Sequence, residues 1–222
     1  MKCVKIFAVL VLVLSVMGSV ARAETPIAPA PAAIAPTTVP SATTNGPASA
    51  VIKNFYAQLQ TVMKQGDQLG YAGRFKKLDP IIKSTYDLPT MTRFAVGLVW
   101  SKATPDEQKQ LISAFSDFSI ASYASRFTKY NGEEFNVLGE KPVDGGVLVE
   151  TSLKPKDTDA VKLSYLMKAD EKGSYRIVDV FLDGSISELA TRRAEFSSIV
   201  AHDGIGALVN SLGEKSKQMG PS

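Results

Sequence analysis

Near residue 132 the apolar rhythm of this chain changes, and no other feature of its 222 residues limits the fold as much. Before that point apolar side chains recur every three to four positions, the period of a helix with one buried face. After it they recur at every second position, the period of a half-buried strand. Val51, Ile52, Phe55, Leu59 and Val62 predict a first helix that stops before Gly66. Residues 71–86 carry a second helical pattern, with Leu78, Ile81 and Ile82 inward and an interruption at Pro80. Pro89 opens a third, with Met91, Phe94, Ala95, Leu98 and Val99 along one side. Thr104-Pro105-Asp106-Glu107 is a capping box with proline at the first helical position. The helix it starts bears two stripes, Leu111-Phe115-Phe118-Ser122 and Ile120-Tyr123-Phe127-Tyr130, which predicts burial on more than one side until Asn131-Gly132 ends it.

Beyond Gly132 the alternation begins with Phe135 and Val137. It continues through Val147-Val149-Thr151-Leu153, Val161-Leu163-Tyr165-Met167 and Tyr175-Ile177-Asp179-Phe181. Short Gly-, Pro- and Asp-bearing turns separate these runs, so the strands are expected to form an antiparallel meander. Ser185 with Glu188 reads as a second capping box, opening a helix with Ile186, Leu189, Phe196 and Ile199, and a last helix is expected over residues 205–217. Helices, then a meander, then helices make an α+β domain, with one sheet face covered by the long helix and its neighbours.

The N-terminal region does not share this patterning. Lys2 and Lys5 precede an apolar run over residues 6–17, and Ala21-Arg22-Ala23 offers small residues at a cleavage site. This is the layout of a secretory signal peptide over residues 1–23, cleaved after Ala23. The run is too short to favour a membrane span. Residues 24–47 are rich in Ala, Pro, Thr and Ser, and no charge follows Glu24. A segment of that kind cannot bury a core and reads as an extended, disordered linker. The folded domain is expected over residues 48–217, with a short tail at 218–222.

Processing would change the chemistry of the chain. Cys3 is the only cysteine and leaves with the signal. Lys2, Lys5 and Arg22 leave as well, so the formal +3 of the whole chain falls to zero. A neutral domain lacks the cationic surplus that phosphate backbones require, which argues against a nucleic-acid partner. With no cysteine and His202 as the one histidine, a zinc site built from those ligands is excluded and no metal or other cofactor is expected. His202, beside Asp203, reads as a solvated or capping residue. Asp87 reads as a helix N-cap. Asp179 sits in the last strand and, if inward, needs a partner such as an arginine. These two carboxylates are the candidates for an enzyme acting on a buried apolar substrate, the competing reading alongside an envelope interaction protein with a filled core. Arg192-Arg193 could bind an anionic headgroup or a partner protein, although pairing with Glu188 or Glu195 is the commoner outcome. No catalytic residue is assigned.

Several segments taken in order resemble the MlaC, or toluene-tolerance, family of periplasmic lipid-binding proteins. They are Tyr86-Asp87, Met91-Thr92-Arg93-Phe94 with Trp100, Gln108 with Phe115, and Tyr130-Asn131-Gly132-Glu133. The most specific stretch is Tyr175-Arg176-Ile177-Val178-Asp179-Val180 followed by Asp183-Gly184-Ser185-Ile186-Ser187. The run over residues 189–196 departs from the usual form, in which a Tyr-Arg pair precedes the Phe, and resembles the hopanoid-biosynthesis branch, HpnM. The resemblance implies a curved antiparallel sheet of four to five strands against a helical layer, enclosing an apolar cavity. It implies a non-enzymatic carrier of phospholipid or hopanoid, a freely diffusing monomer in the periplasm. Its partners would be an inner-membrane ABC transporter with an MCE-type subunit and an outer-membrane acceptor complex. On this reading the lipid is held by residues such as Met91, Phe94, Val99, Phe115, Phe118, Val149, Leu163, Tyr165 and Val180.

Overall fold

The computed structural model describes residues 46–220. The signal peptide and nearly all of the linker expected from the sequence lie outside the described residues. Among those described, five α-helices and five strands make an α+β fold. The helices are α1 (Pro47–Lys64), α2 (Gly66–Thr85), α3 (Leu88–Val96), α4 (Pro105–Arg126) and α5 (Glu188–Gln218). A 3₁₀ turn, Gly97–Lys102, links α3 to α4. The strands are β1 (Glu134–Val143), β2 (Gly146–Lys154), β3 (Val161–Ala169), β4 (Tyr175–Leu182) and the two-residue β5 (Ile186–Ser187).

Pro80 does not interrupt the second helix: α2 runs through it and is broken instead at Gly70, where φ is 57°. Pro80 and Lys76, whose carbonyl loses its donor, are both exposed, so the missing bond falls on the solvent side of the helix and not in the core. The capping box at Thr104 and Glu107 forms as read, with both reciprocal hydrogen bonds. The helix it opens ends at Arg126 rather than at Asn131-Gly132. Phe127 leaves the helical conformation yet keeps its place in the aromatic stripe by stacking on Tyr123 at 5.3 Å. The second expected box does not form. Ile186 and Ser187 pair with Leu182 and Phe181 as β5, so α5 starts later with Ser187 as its N-cap. The two C-terminal helices expected from the sequence are the two halves of α5, which meet at a kink at Gly204, where φ is 82°.

The strands form an open antiparallel meander in the order β1-β2-β3-β4-β5. Val149 pairs with Tyr165 and Tyr165 with Val180, which puts these three side chains in one row across β2, β3 and β4. Leu163 lies on the same face, between Thr151 and Leu182. In β4 the register shifts: Met167 pairs with Ile177 and Leu166 with Asp179, leaving Val178 as a bulge. The bulge turns Asp179 to the face opposite Tyr175 and Ile177, against the simple alternation read from the sequence.

The layering also differs from expectation. The helix lying across the sheet is α1, against β1, β2 and β4, whereas α4 packs on α2, α3 and α5 with no strand running close along it. The first turn of α1 has no side-chain cap of its own. Glu140 of β1 supplies one, accepting from Ser49 N at 2.5 Å and placing a carboxylate at the positive end of the helix.

At the opposite end of α1, Arg74 is buried, and among the described residues it forms no salt bridge. Its Nε donates to Ala124 O at 2.8 Å and its Nη1 to Gly66 O at 3.0 Å. One guanidinium therefore joins the α1–α2 junction to the negative end of α4.

Candidate functional site

Aromatic side chains line the region between α1, α4 and the sheet. Phe55 of α1 meets Tyr86 edge-on at 5.9 Å and Tyr123 of α4 at 5.7 Å. Tyr56, next on α1, turns to the sheet and meets Phe135 at 5.1 Å and Tyr165 at 6.1 Å. Each buried phenol has a polar partner, as a hydroxyl in an apolar setting requires. Tyr56 Oη lies 2.9 Å from Thr151 Oγ1 and 3.1 Å from Tyr165 Oη, and Thr151 Oγ1 donates to Leu163 O at 2.9 Å. Tyr86 and Tyr123 share a hydrogen bond at 2.5 Å.

Burial pushes the Tyr56 phenol up to about 12, and its hydrogen bonds to Thr151 and Tyr165 only partly offset that. Burial also lifts Tyr86, Tyr123 and Tyr165 above the ordinary tyrosine value. All four therefore remain neutral near pH 7. They can hold the helix layer to the sheet by hydrogen bonds, but they supply no phenolate nucleophile or base.

This has a consequence at high pH. An unfolded tyrosine ionises near its ordinary value of 10, whereas Tyr56 resists until about 12. Its contribution to stability is complete below pH ~10 and is lost as the pH rises through about 12, by ~2–3 kcal/mol for this one group. Phenolate absorbance from the buried set is expected to appear together with loss of the circular-dichroism signal. Phenolate formation well before unfolding would show that these hydroxyls are not sequestered.

The residues expected to hold a ligand fall into three places. Val149, Leu163, Tyr165 and Val180 share the helix-facing side of the sheet. Phe115 and Phe118 point from α4 toward α5: Phe115 meets Phe196 at 6.1 Å, and the Arg192 guanidinium lies 4.8 Å over the Phe118 ring. Met91 is buried on α3, and Val99 is half-buried on the 3₁₀ turn. Phe94 stands apart, 46% exposed, with Arg193 over its ring. Sequence reading does not select Tyr56, Tyr86 or Thr151 for the site. Tyr56 carries a usable signal, since it falls at i+4 from Ile52 on the inward stripe of α1.

Both candidate acids have structural duties. Asp87 caps α3, accepting from Thr90 N at 3.1 Å. Asp179 accepts from Ser187 Oγ at 2.6 Å, Val180 N at 2.7 Å and Leu189 N at 3.1 Å. The partner of this buried carboxylate is thus the N-terminus of α5 and not an arginine. His202 is exposed, with Nδ1 2.8 Å from Ser198 O one turn earlier. Arg192 pairs with Glu188 and Glu195, and Lys215 also pairs with Glu195.

A family model described as "MlaC protein" matches residues 53–214, most of the chain. The chain belongs to the MlaC family. Among solved structures, this MlaC-family chain is similar to the phospholipid-binding protein from Ralstonia solanacearum, determined in complex with a phospholipid. The likeness has a TM-score of 0.69 at 22% identity and covers 78% of this chain and 99% of the other. At that identity the similarity establishes the fold. A comparison with curated proteins finds no match. Among the described residues, no helix is long and apolar enough to cross a membrane.

Proposed function

We propose that this MlaC-family chain is a lipid carrier of the periplasm, holding acyl chains between the helical layer and the helix-facing side of the sheet. The observation that carries the reading is an apolar sheet face wider than its helical cover. Val149 and Tyr165 are buried beneath α1, whereas Val137, Leu163 and Leu182 on the same face are only half-buried, and α4 stands off the sheet. Family membership and the phospholipid bound to the Ralstonia protein support the same reading. The chemistry required is modest. A C16 acyl chain in water costs on the order of 10 kcal/mol at about 0.8 kcal/mol per methylene, and a carrier must nearly offset that without retaining its cargo. Binding by apolar contact and shape needs no catalytic group. The signal-like sequence of residues 1–23 and the family membership support an address outside the cytoplasm. The transporter at the inner membrane and the acceptor at the outer membrane belong to the same proposal. So does a hopanoid cargo, supported by the sequence form of residues 189–196.

Transfer of a labelled phospholipid between two vesicle populations tests the carrier role. The rate should rise in proportion to protein concentration, and unlabelled hopanoid should slow it if that is the preferred cargo. A rate unaffected by the protein overturns the proposal. The position to vary is Leu163, because it is half-buried. Val149 is fully buried in the continuous core, and a charge there would compromise folding itself. Leu163→Lys should lower the transfer rate at least tenfold while the protein remains folded by circular dichroism. An unchanged rate would remove this face from the binding site.

A further inference from the structure

One surface groove lies outside the interior and has no part in the carrier reading. It is formed where α3 ends, at the 3₁₀ turn, and where α5 passes. Phe94, Leu98 and Trp100 supply its apolar surface, Arg93 and Arg193 its charge, and its volume is about 420 Å³. Leu98 is 84% exposed, the most exposed of the large apolar side chains in the described residues. It projects because Gly97, with φ at 71°, ends α3 and turns the chain out of the helical period. The turn is braced from α4, where Gln108 Nε2 donates to Trp100 O at 3.1 Å and Ala103 O at 3.2 Å.

The charge of the groove is of one sign. Arg192 is committed to Glu188 and Glu195, but its neighbour Arg193 instead lies over Phe94, 5.1 Å from the ring centroid, and packs on Gly97. Neither Arg193 nor Arg93 is in a salt bridge among the described residues, and no acid lines the groove. Two unpaired guanidiniums beside a protruding leucine, a half-exposed phenylalanine and a tryptophan are complementary to phosphate groups above an acyl layer.

We propose that this groove docks the protein reversibly on the surface of a bilayer containing anionic phospholipid, with Leu98 entering the headgroup boundary and Arg93 and Arg193 on lipid phosphates. Trp100 is the only tryptophan of the chain, so its emission reports the groove alone. Titration of the full mature chain with phosphatidylethanolamine–phosphatidylglycerol vesicles should shift that emission to the blue and bring the protein down with the vesicles on sedimentation. Vesicles of phosphatidylcholine should do neither. Partitioning should weaken about fivefold for Arg93→Gln and for Arg193→Gln. It should weaken about tenfold for Leu98→Ser, an exposed substitution that leaves the fold and the bound lipid unchanged. Added salt should weaken it further.

Equal binding to both vesicle types, or partitioning indifferent to all three substitutions, overturns the proposal. Failure to bind either vesicle also overturns it and would turn the groove over to an acidic protein partner. Dimerisation abolished by Leu98→Ser would assign the groove to a second copy and overturn the proposal as well. The carrier reading fails separately: a chain that docks but carries and transfers no lipid refutes that reading and leaves this one standing.

Discussion

Gly66→Ala is expected to lower the stability of this protein by about 3 kcal/mol or more, a large effect for one methyl group. A Cβ on Gly66 would overlap the carbonyl oxygen of Thr128. That oxygen belongs to the backbone, so no rotamer change relieves the contact. The α1–α2 junction must move away from the segment following α4, and the packing around Leu59, Val62 and Met63 moves with it. For a folded unit of this size the melting temperature should fall by roughly 6–12 °C. A melting temperature within a degree or two of wild type would show that the junction is not held where the structure puts it.

Arg74→Met should destabilise by about 2–4 kcal/mol, although the substitution keeps most of the apolar stem. Two buried carbonyls, Gly66 O and Ala124 O, lose their charged donor and gain nothing in its place. Arg74→Lys should recover only part of the loss, because one ammonium cannot reach both acceptors with the geometry of the guanidinium fork. Arg74 and Gly66 are in direct contact, so Gly66→Ala with Arg74→Met should cost less than the sum of the two changes. Chemical denaturation of the four proteins measures this coupling. Strict additivity would mean that the hydrogen bond at 3.0 Å contributes nothing.

The sequence displays the parts of this fold governed by local period and hides those governed by pairing. The change from helix to strand, the proline-primed start of α4 and the four long strands follow from spacing alone. The bulge at Val178 does not, because Ile177-Val178-Asp179-Val180 alternates well enough to suggest a regular strand, and only the pairing with Leu166 and Met167 shows the extra residue. Ser185 and Ser187 stand near enough to Glu188 that either could cap a helix; the pairing of Ile186 and Ser187 with β4 decides for Ser187. Two apolar stripes on α4 announce burial on two sides. They cannot announce that α2, α3 and α5 supply most of the cover, with the sheet reached only where Phe127 meets Phe135.

The same limit applies to the candidate site. Residue type groups Val149, Leu163, Tyr165 and Val180, and register brings them to one sheet face. Phe94 joins them on sequence grounds because it lies three residues from Met91. Yet the inward face of α3 is Leu88, Met91, Thr92, Ala95 and Val96, which leaves Phe94 on the flank. Arg74 and Glu140 escape a sequence reading because their backbone partners Ala124 and Ser49 lie far along the chain, where no fixed spacing marks them, unlike the local caps at Asp87 and Thr104.

The central claim is that the space between the helices and the sheet holds lipid. Mass spectrometry and phosphate analysis of the organic extract of the protein, purified from the envelope of cells that express it, test this most directly. About one lipid per chain is predicted, falling sharply in Leu163→Lys while circular dichroism stays unchanged. A folded wild-type protein that yields no stoichiometric lipid would contradict the claim.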